Sequence, residues 1–342
     1  MKILVVDFLF VNAHHNFNEN IIKALSTFAE IDVVNVNDFY EKKIAESNFI
    51  NYKLKLLKNG SVGSRINSIV IMYVTLFYLL KKRKKYDAVF CLAFETVTTF
   101  FTNLFLPFLS KKIFLFHHKN IDELNNFYKK FLFKTYQKKF MHIVFENEFA
   151  QHLNQVTGLD KSHIRVIHHP LCTIKRKKEE IFDCVGLCNS NNIDFVGELC
   201  DNLKNESNSN MSFVIKCAEN FDSTNNFRNI NTFLPMEKYW EYIDSAKSVL
   251  VALPQSYKNR LSGSIYDALS MKKKVFTTSL YHASIYESSY PGICEFVQSA
   301  NDLVEKVKNY NHDVDSRFFD KFIEDHSIQR VAQELNNLMK EK

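Results

Sequence analysis

The first 36 residues, MKILVVDFLFVNAHHNFNENIIKALSTFAEIDVVNV, run from strand to helix to strand with no hairpin signal between them. Residues 2–6 form a buried-strand run. Ile21, Leu25 and Phe28 then recur at helical spacing, and residues 31–36 are rich in β-branched side chains. Strand, loop, helix and strand within about 35 residues is the opening of a doubly wound α/β fold. The apolar start is short and lacks a small-residue cleavage site. It reads as the first strand and not as a signal peptide.

The same alternation continues. Strands are expected in DAVFCLAF (87–94), KIFLFHH (112–118), HIVFEN (142–147) and IRVIHHP (164–170), with apolar helices between them. Pro170 closes this series, and CTIKRKKEE (172–180) reads as a charged linker. A second series follows: the strand and polar loop IFDCVGLCNSNN, the helix IDFVGELCDNL, the strands MSFVIKCA and NINTFL, the helix PMEKYWEYIDSA and the strand KSVLVALP. The expected architecture is two tandem Rossmann-like domains, at 1–170 and 181–320, joined by a linker at 171–180. A C-terminal helix at 321–342 has the first domain as a surface on which to pack back. The 342 residues suffice for two cores.

Charge divides the chain unevenly. Residues 1–170 hold 23 Lys and Arg against 14 Asp and Glu, a balance of +9, whereas residues 171–342 hold 21 against 24, a balance of −3. Between residues 47 and 86 there are nine basic residues and no acidic one. This points the first half toward an anionic membrane surface or a nucleic acid. The basic residues interleave with long aliphatic runs and not with aromatics spaced for base stacking, so no nucleic-acid partner is expected. The run INSIVIMYVTLFYLL (66–80), followed by KKRKK, is too short to span a bilayer. It is either a core helix or a helix lying on a membrane, with Lys53, Lys55, Lys58 and residues 81–85 reaching headgroups. The protein is therefore expected in the cytoplasm, peripheral to the inner face of the membrane. Seven cysteines without paired CxxC spacing read as buried free thiols in a reducing compartment.

One stretch is built for an anion. YKNRLSGSIYDALSMKKKVFTT (257–278) places Lys258 and Arg260, then Ser262, Gly263 and Ser264, before a helix and a β-branched strand. Gly263 is one of seven glycines in the chain. Unpaired amides at a helix start favour phosphate, and the two basic side chains add charge. A Ser-capped helix with solvated basic residues is the alternative.

Three segments together resemble glycosyltransferases of the GT-B fold, and most closely the large retaining family that includes capsule and lipopolysaccharide sugar transferases. HIVFENEFAQHLNQVTGLDKSHIRVIHHPL (142–171) is similar to that family's strand, SEFA helix, glycine loop and strand ending in PNP or PHP. NINTFLPMEKYWEYIDSAKSVLVALP resembles its donor region, and RLSGSIYDALSMKKKVFTT resembles E-G-F-G-L-x-x-x-E-A-M-A-x-G-x-P-V-V-A. The likeness covers about 87–280. Two features depart from the pattern. Of two family glutamates eight positions apart, the first falls on Asn259 and the second on Asp267, and the loop after the first strand has no glycine.

The resemblance implies a nucleoside-diphosphate-sugar donor held by the second domain, a glycan or lipid-linked acceptor on the first, and a cleft between them. It implies no cofactor and no metal, in keeping with the absence of an Asp-x-Asp pair in a suitable loop. Lys258, Arg260, Ser262, Gly263 and Ser264 would hold the diphosphate, joined by Asn189, Ser190 and Asn191 of the CNSNN loop, which otherwise reads as a plain polar turn. Phe233, Leu234 and Met236 would face the base, unless Phe233 belongs to a core strand. Asp267 would accept from ribose or sugar hydroxyls. His117 matches the family histidine that contacts the donor sugar, with His118 turned into the core unless a bulge exchanges the two. His14, His15 and Glu95 are candidate bases for the acceptor hydroxyl. The histidine pairs 14–15, 117–118 and 168–169 would offer about three ligands to a metal and not a chelating cluster, because adjacent residues on a strand point to opposite faces. A nucleotide-sugar 2-epimerase and a non-catalytic transferase-like scaffold are the competing readings. The sequence leaves open whether the protein is a monomer or a homo-oligomer.

Overall fold

The computed structural model describes residues 1–9, 14–55, 57, 61–82, 84–171, 178–205 and 211–341, without the side chains of 61, 62, 64 and 65. Lys58, Arg83 and residues 172–177 of the expected linker lie outside these described residues. The chain divides into two compact units. One comprises Met1–Pro170, Asn259–Leu261 and His326–Lys342, and the other Leu171–Lys258 and Ser262–Asp325.

The first unit follows the order β1 (Lys2–Asp7), α1 (His15–Ser26), β2 (Glu30–Val36), β3 (Ser47–Tyr52), α2 (Ser61–Lys81), β4 (Ala88–Ala93), α3 (Thr96–Thr102), β5 (Ile113–Phe116), α4 (Asn120–Glu123), α5 (Phe127–Tyr136), β6 (Met141–Val144), α6 (Asn147–Thr157) and β7 (Ile164–Val166). The strands form one parallel sheet, β3-β2-β1-β4-β5-β6-β7. β1 lies between β2 and β4, so the connections reverse direction there. Ile3, Val5, Ile31, Val33, Phe90, Phe116 and Ile143 pack on Ile21 and Leu25 of α1. The helix α6 stops at Gly158, whose φ of 71° is the left-handed conformation that glycine adopts without a Cβ penalty.

The second unit continues with β8 (Phe182–Gly186), α7 (Ile193–Asn205), β9 (Phe213–Lys216), β10 (Phe227–Ile230), α8 (Met236–Asp244), β11 (Ala246–Val251), α9 (Gly263–Ser270), β12 (Lys274–Thr277), α10 (Leu280–Glu287), β13 (Cys294–Phe296), α11 (Ala300–Asn309) and α12 (Ser316–Asp325). Its sheet is parallel in the order β10-β9-β8-β11-β12-β13, with the reversal between β8 and β11. Strands β8 and β11 pack closely. A Cβ on Gly186 would lie 2.9 Å from Ile215 Cδ1 and 3.3 Å from the Leu250 carbonyl.

The last helix, α13 (Ile328–Lys340), returns to the first unit. Val331, Leu335 and Leu338 join the core around α1. Arg165 pairs with Glu341, and Glu334 accepts from the His168 amide at 3.0 Å and meets His168 Nδ1 at 2.7 Å.

Three elements differ from the sequence expectation. The stretch 321–342 is not one helix, because α12 ends at Asp325 in the second unit and α13 begins at Ile328 in the first. SNFINY forms the edge strand β3, which polar residues between its apolar ones conceal in the sequence. NINTFL does not continue as a strand. β10 ends at Ile230, opposite the end of β9 at Lys216, and residues 231–235 form a loop.

Candidate functional site

In a parallel sheet every carboxyl end lies along one edge, and ligands collect there at the reversal point. In the second unit this edge carries residues 187–192 after β8, 231–235 after β10 and the stretch after β11. The Asn191 amide donates to the carbonyls of Gly186 (2.9 Å) and Lys216 (3.0 Å), and its oxygen accepts from the Ala252 amide (3.1 Å). Asn191 therefore ties the loops of β8, β9 and β11 together. Its expected role as a phosphate donor is corrected to scaffolding, because both side-chain N–H groups and its backbone amide, which meets the Cys188 carbonyl at 3.2 Å, are already engaged. Asn189 is exposed, and the Ser190 and Tyr257 hydroxyls lie 2.6 Å apart.

The helix start at α9 is open. Ser262 occupies the N-cap with extended backbone, yet its hydroxyl makes no capping bond, and the first turn holds no acid. A Cβ on Gly263 would meet nothing within 4 Å. The Ile265 amide donates to the Ser262 carbonyl at 3.0 Å, so the amides of Gly263 and Ser264 are the ones left without a Ser262 side-chain cap, and an oxyanion would suit them. One turn on, the Asp267 carboxylate accepts from the Tyr239 hydroxyl at 2.8 Å, and the Ser264 hydroxyl also hydrogen-bonds Tyr239. Burial pushes the Asp267 carboxyl up to about 7, against the pull of the Tyr239 bond. Phe233 is 87% exposed, which removes the core-strand alternative. It shares the carboxyl edge with the half-buried Leu234 and the exposed Met236. Lys216 Nζ holds the start of that loop through the Thr232 carbonyl.

Arg260 lies beside an acid. Within the first unit, Asp122 accepts from the Asn259 backbone amide (2.8 Å) and side chain (3.2 Å), and Arg260 Nε lies 3.4 Å from the same carboxylate. Asn259 stands where the family pattern has its first glutamate, and it is engaged by a carboxylate instead of supplying one. Lys258 is exposed in the second unit.

The first unit's carboxyl edge brings two of the candidate histidines together, His14 and His118, and separates His117 and His15 from them. His117 turns into the core between Phe94 and Phe133, with Nε2 2.9 Å from His142 Nδ1. Burial, reinforced by His142, holds it neutral. The expectation that His117 reaches a substrate is corrected, because its ring lies inside the hydrophobic layer. His118 faces the reversal point. It stacks on His14 at 4.1 Å and 20°, and its Nε2 donates to the Leu92 carbonyl at 2.9 Å. Burial keeps both His118 and His14 neutral, although Asp7 favours the charged form of His14. His14 Nδ1 is buried without a hydrogen-bond partner. His15 lies against Phe39 and Tyr40 beside Glu19, apart from that stack. Glu95 caps α3, accepting from the Thr98 amide at 2.7 Å, with Lys129 3.6 Å away. In the fold it serves as a helix cap through Oε2. Among the described residues no cluster of His, Cys, Asp or Glu is arranged to hold a metal ion.

Four residues of these sites, Tyr239, Tyr257, Asp122 and Gly186, are not apparent from sequence reasoning. Only Gly186 leaves a signal, a glycine at the end of an apolar strand. The other three act through partners distant in sequence.

No family model matches the chain, and comparison with curated proteins finds no relative by sequence. The fold, by contrast, is shared. A glycosyltransferase from Rickettsia africae superposes with a TM-score of 0.65 at 10% identity, covering 99% of this chain and 97% of that one. Anabaena HepE in complex with UDP and glucose gives 0.68 at 11% identity, covering 99% of both chains. UDP-N-acetylglucosamine 2-epimerase from Rickettsia bellii gives 0.61 at 11%, covering 99% and 95%. The chain therefore has the GT-B fold, two Rossmann-like units in tandem.

Proposed function

We propose that the protein is a metal-independent glycosyltransferase. It moves a sugar from a nucleoside diphosphate sugar to a glycan or lipid-linked acceptor in surface polysaccharide synthesis, at an anionic membrane face. The observation that carries this reading is the uncapped start of α9, facing open space at Gly263, one turn before the Asp267–Tyr239 pair. Amides there would hold the diphosphate and stabilise the leaving nucleotide as the glycosidic bond breaks. The Asp267 carboxylate would accept from ribose or sugar hydroxyls, and the exposed Phe233 offers a ring face to the base. UDP is the nucleotide to test first, since HepE binds it. The acceptor is assigned to the first unit, where neutral His14, stacked on His118, can take a proton from an attacking hydroxyl.

A second reading is a transferase-like scaffold without turnover. The engagement of Asn259 and Arg260 by Asp122 favours it. The epimerase reading rests on fold alone. Release of UDP from a UDP-sugar, with and without lipid-linked acceptor, separates the three. The transferase requires acceptor-dependent release, and His14→Ala should lower it while UDP still binds. Interconversion of the free UDP-sugar indicates the epimerase. UDP binding without any reaction indicates the scaffold.

A further inference from the structure

Helix α2 is apolar on two opposite faces. Ile71, Met72, Leu76 and Leu79 point inward and are almost wholly buried. On the outer face Ile66, Val70, Val74 and Phe77 recur at intervals of four, four and three residues, which makes a stripe along solvent. Phe77 is 67% exposed. A helix in a water-soluble unit normally turns charged residues to that side.

The stripe continues onto α3. The Tyr73 hydroxyl donates to the Phe101 carbonyl at 3.2 Å, Tyr73 packs edge-on to Phe105, and the Thr102 hydroxyl meets the Met72 sulfur at 2.7 Å. These contacts hold α3 and the 3-10 turn Leu106–Phe108 beside α2. Phe101, Leu104 and Phe108 in that segment are 50%, 65% and 66% exposed. Large apolar side chains on two adjoining elements make a patch of the kind that marks an interaction surface.

Its rim is cationic. Lys81, Lys82 and Lys85 follow the stripe, with the Lys82 ammonium 5.7 Å from the centre of the Tyr78 ring, and exposed Lys111 follows Phe108. Lys84 and Lys53 do not count toward it, because Lys84 pairs with buried Asp32 at 3.1 Å and Lys53 with Asp38 at 3.3 Å.

We infer that this α2–α3 face docks on an anionic lipid surface, its aromatic and aliphatic side chains entering the acyl boundary while the lysines meet headgroups. The proposal deepens the membrane component of the function proposed above and rests on it. Charge favours lipid over a second copy. A twofold dimer through this face would set its lysines against their own counterparts, with no acid between residues 47 and 86 to offset them. No helix among the described residues is long and apolar enough to cross a membrane, so the contact is one of surface docking.

The test is flotation of the full chain with vesicles of phosphatidylglycerol and phosphatidylcholine, against phosphatidylcholine alone. It compares wild type with Phe77→Ser/Phe101→Ser/Leu104→Ser/Phe108→Ser and with Lys81→Gln/Lys82→Gln/Lys85→Gln. Melting curves establish that each variant is folded, and UDP titration reads the second unit separately. Wild type should float with the anionic vesicles and lose affinity in high salt. Each lysine removed should cost about fivefold in affinity, and the apolar variant at least about tenfold. Absence of wild-type binding overturns the proposal, as does wild-type affinity in both variants. A wild-type dimer that ignores vesicles and separates in the apolar variant would assign the face to a second copy. UDP binding reads the other unit, so its loss alone would remove the transferase reading and leave the docking face standing.

Discussion

Asp267 is a carboxyl that burial holds up at about 7 in the folded chain, against about 3.9 for the free side chain. As pH rises from about 4 the unfolded chain releases this proton first. Stability therefore falls between about 4 and about 7, and the penalty is complete above that range. Asp267→Asn should accordingly raise the melting temperature at pH 8 and leave it unchanged at pH 4, by about 2–4 °C for each kcal/mol relieved. The same substitution should weaken UDP binding at pH 8, since a neutral amide replaces a charged acceptor. Tyr239→Phe removes the hydrogen bond that favours the carboxylate, so the pH midpoint of UDP affinity should move upward. An unmoved midpoint would detach Tyr239 from Asp267. His117 belongs to the core. His117→Ala should destabilise by about 1–3 kcal/mol, largely by leaving His142 Nδ1 unpartnered, with UDP affinity unchanged. Denaturant unfolding and calorimetry read the two effects separately.

At the level of elements, close strand packing and a returning helix bear most of the scaffold. Gly186→Val would drive a branched side chain against the Leu250 carbonyl and should cost about 1–3 kcal/mol. Leu335→Ala on α13 should cost about 2–5 kcal/mol, because Leu335 is wholly buried in the core around α1. Chemical denaturation checks both. Most elements are legible in the sequence, since parallel strands buried on both faces read as continuous apolar runs and the helices between them keep their period. β3 is not, because an edge strand alternates with polar residues and looks like loop. α13 is legible as a helix with the first domain as its surface, but the spacing of Val331, Leu335 and Leu338 does not say that α1 is the element they cover. The candidate site is legible in part. Gly263 announces an open helix start through composition alone, whereas the Tyr239–Asp267 bond and the exchange of His117 with His118 depend on strand register at β5 and on residues 28 positions apart.

Considered whole, the molecule couples a basic first unit to a mildly acidic second one on a fold shared with nucleotide-sugar enzymes at about a tenth identity. Fold likeness at that distance fixes architecture and leaves activity to the site, so the uncapped start of α9 is the decisive feature. Calorimetric titration of UDP against wild type and Gly263→Asp at pH 8 tests it most directly. The new side chain would project into open space and suits the first turn of a helix, so the fold should persist. Its carboxylate would occupy the ground that the amides offer to phosphate. The expected result is UDP binding by wild type, a loss of at least about tenfold in Gly263→Asp, equivalent to about 1.4 kcal/mol, and no change for uridine. Absence of UDP binding by wild type, or equal UDP affinity in the two proteins, would contradict the assignment.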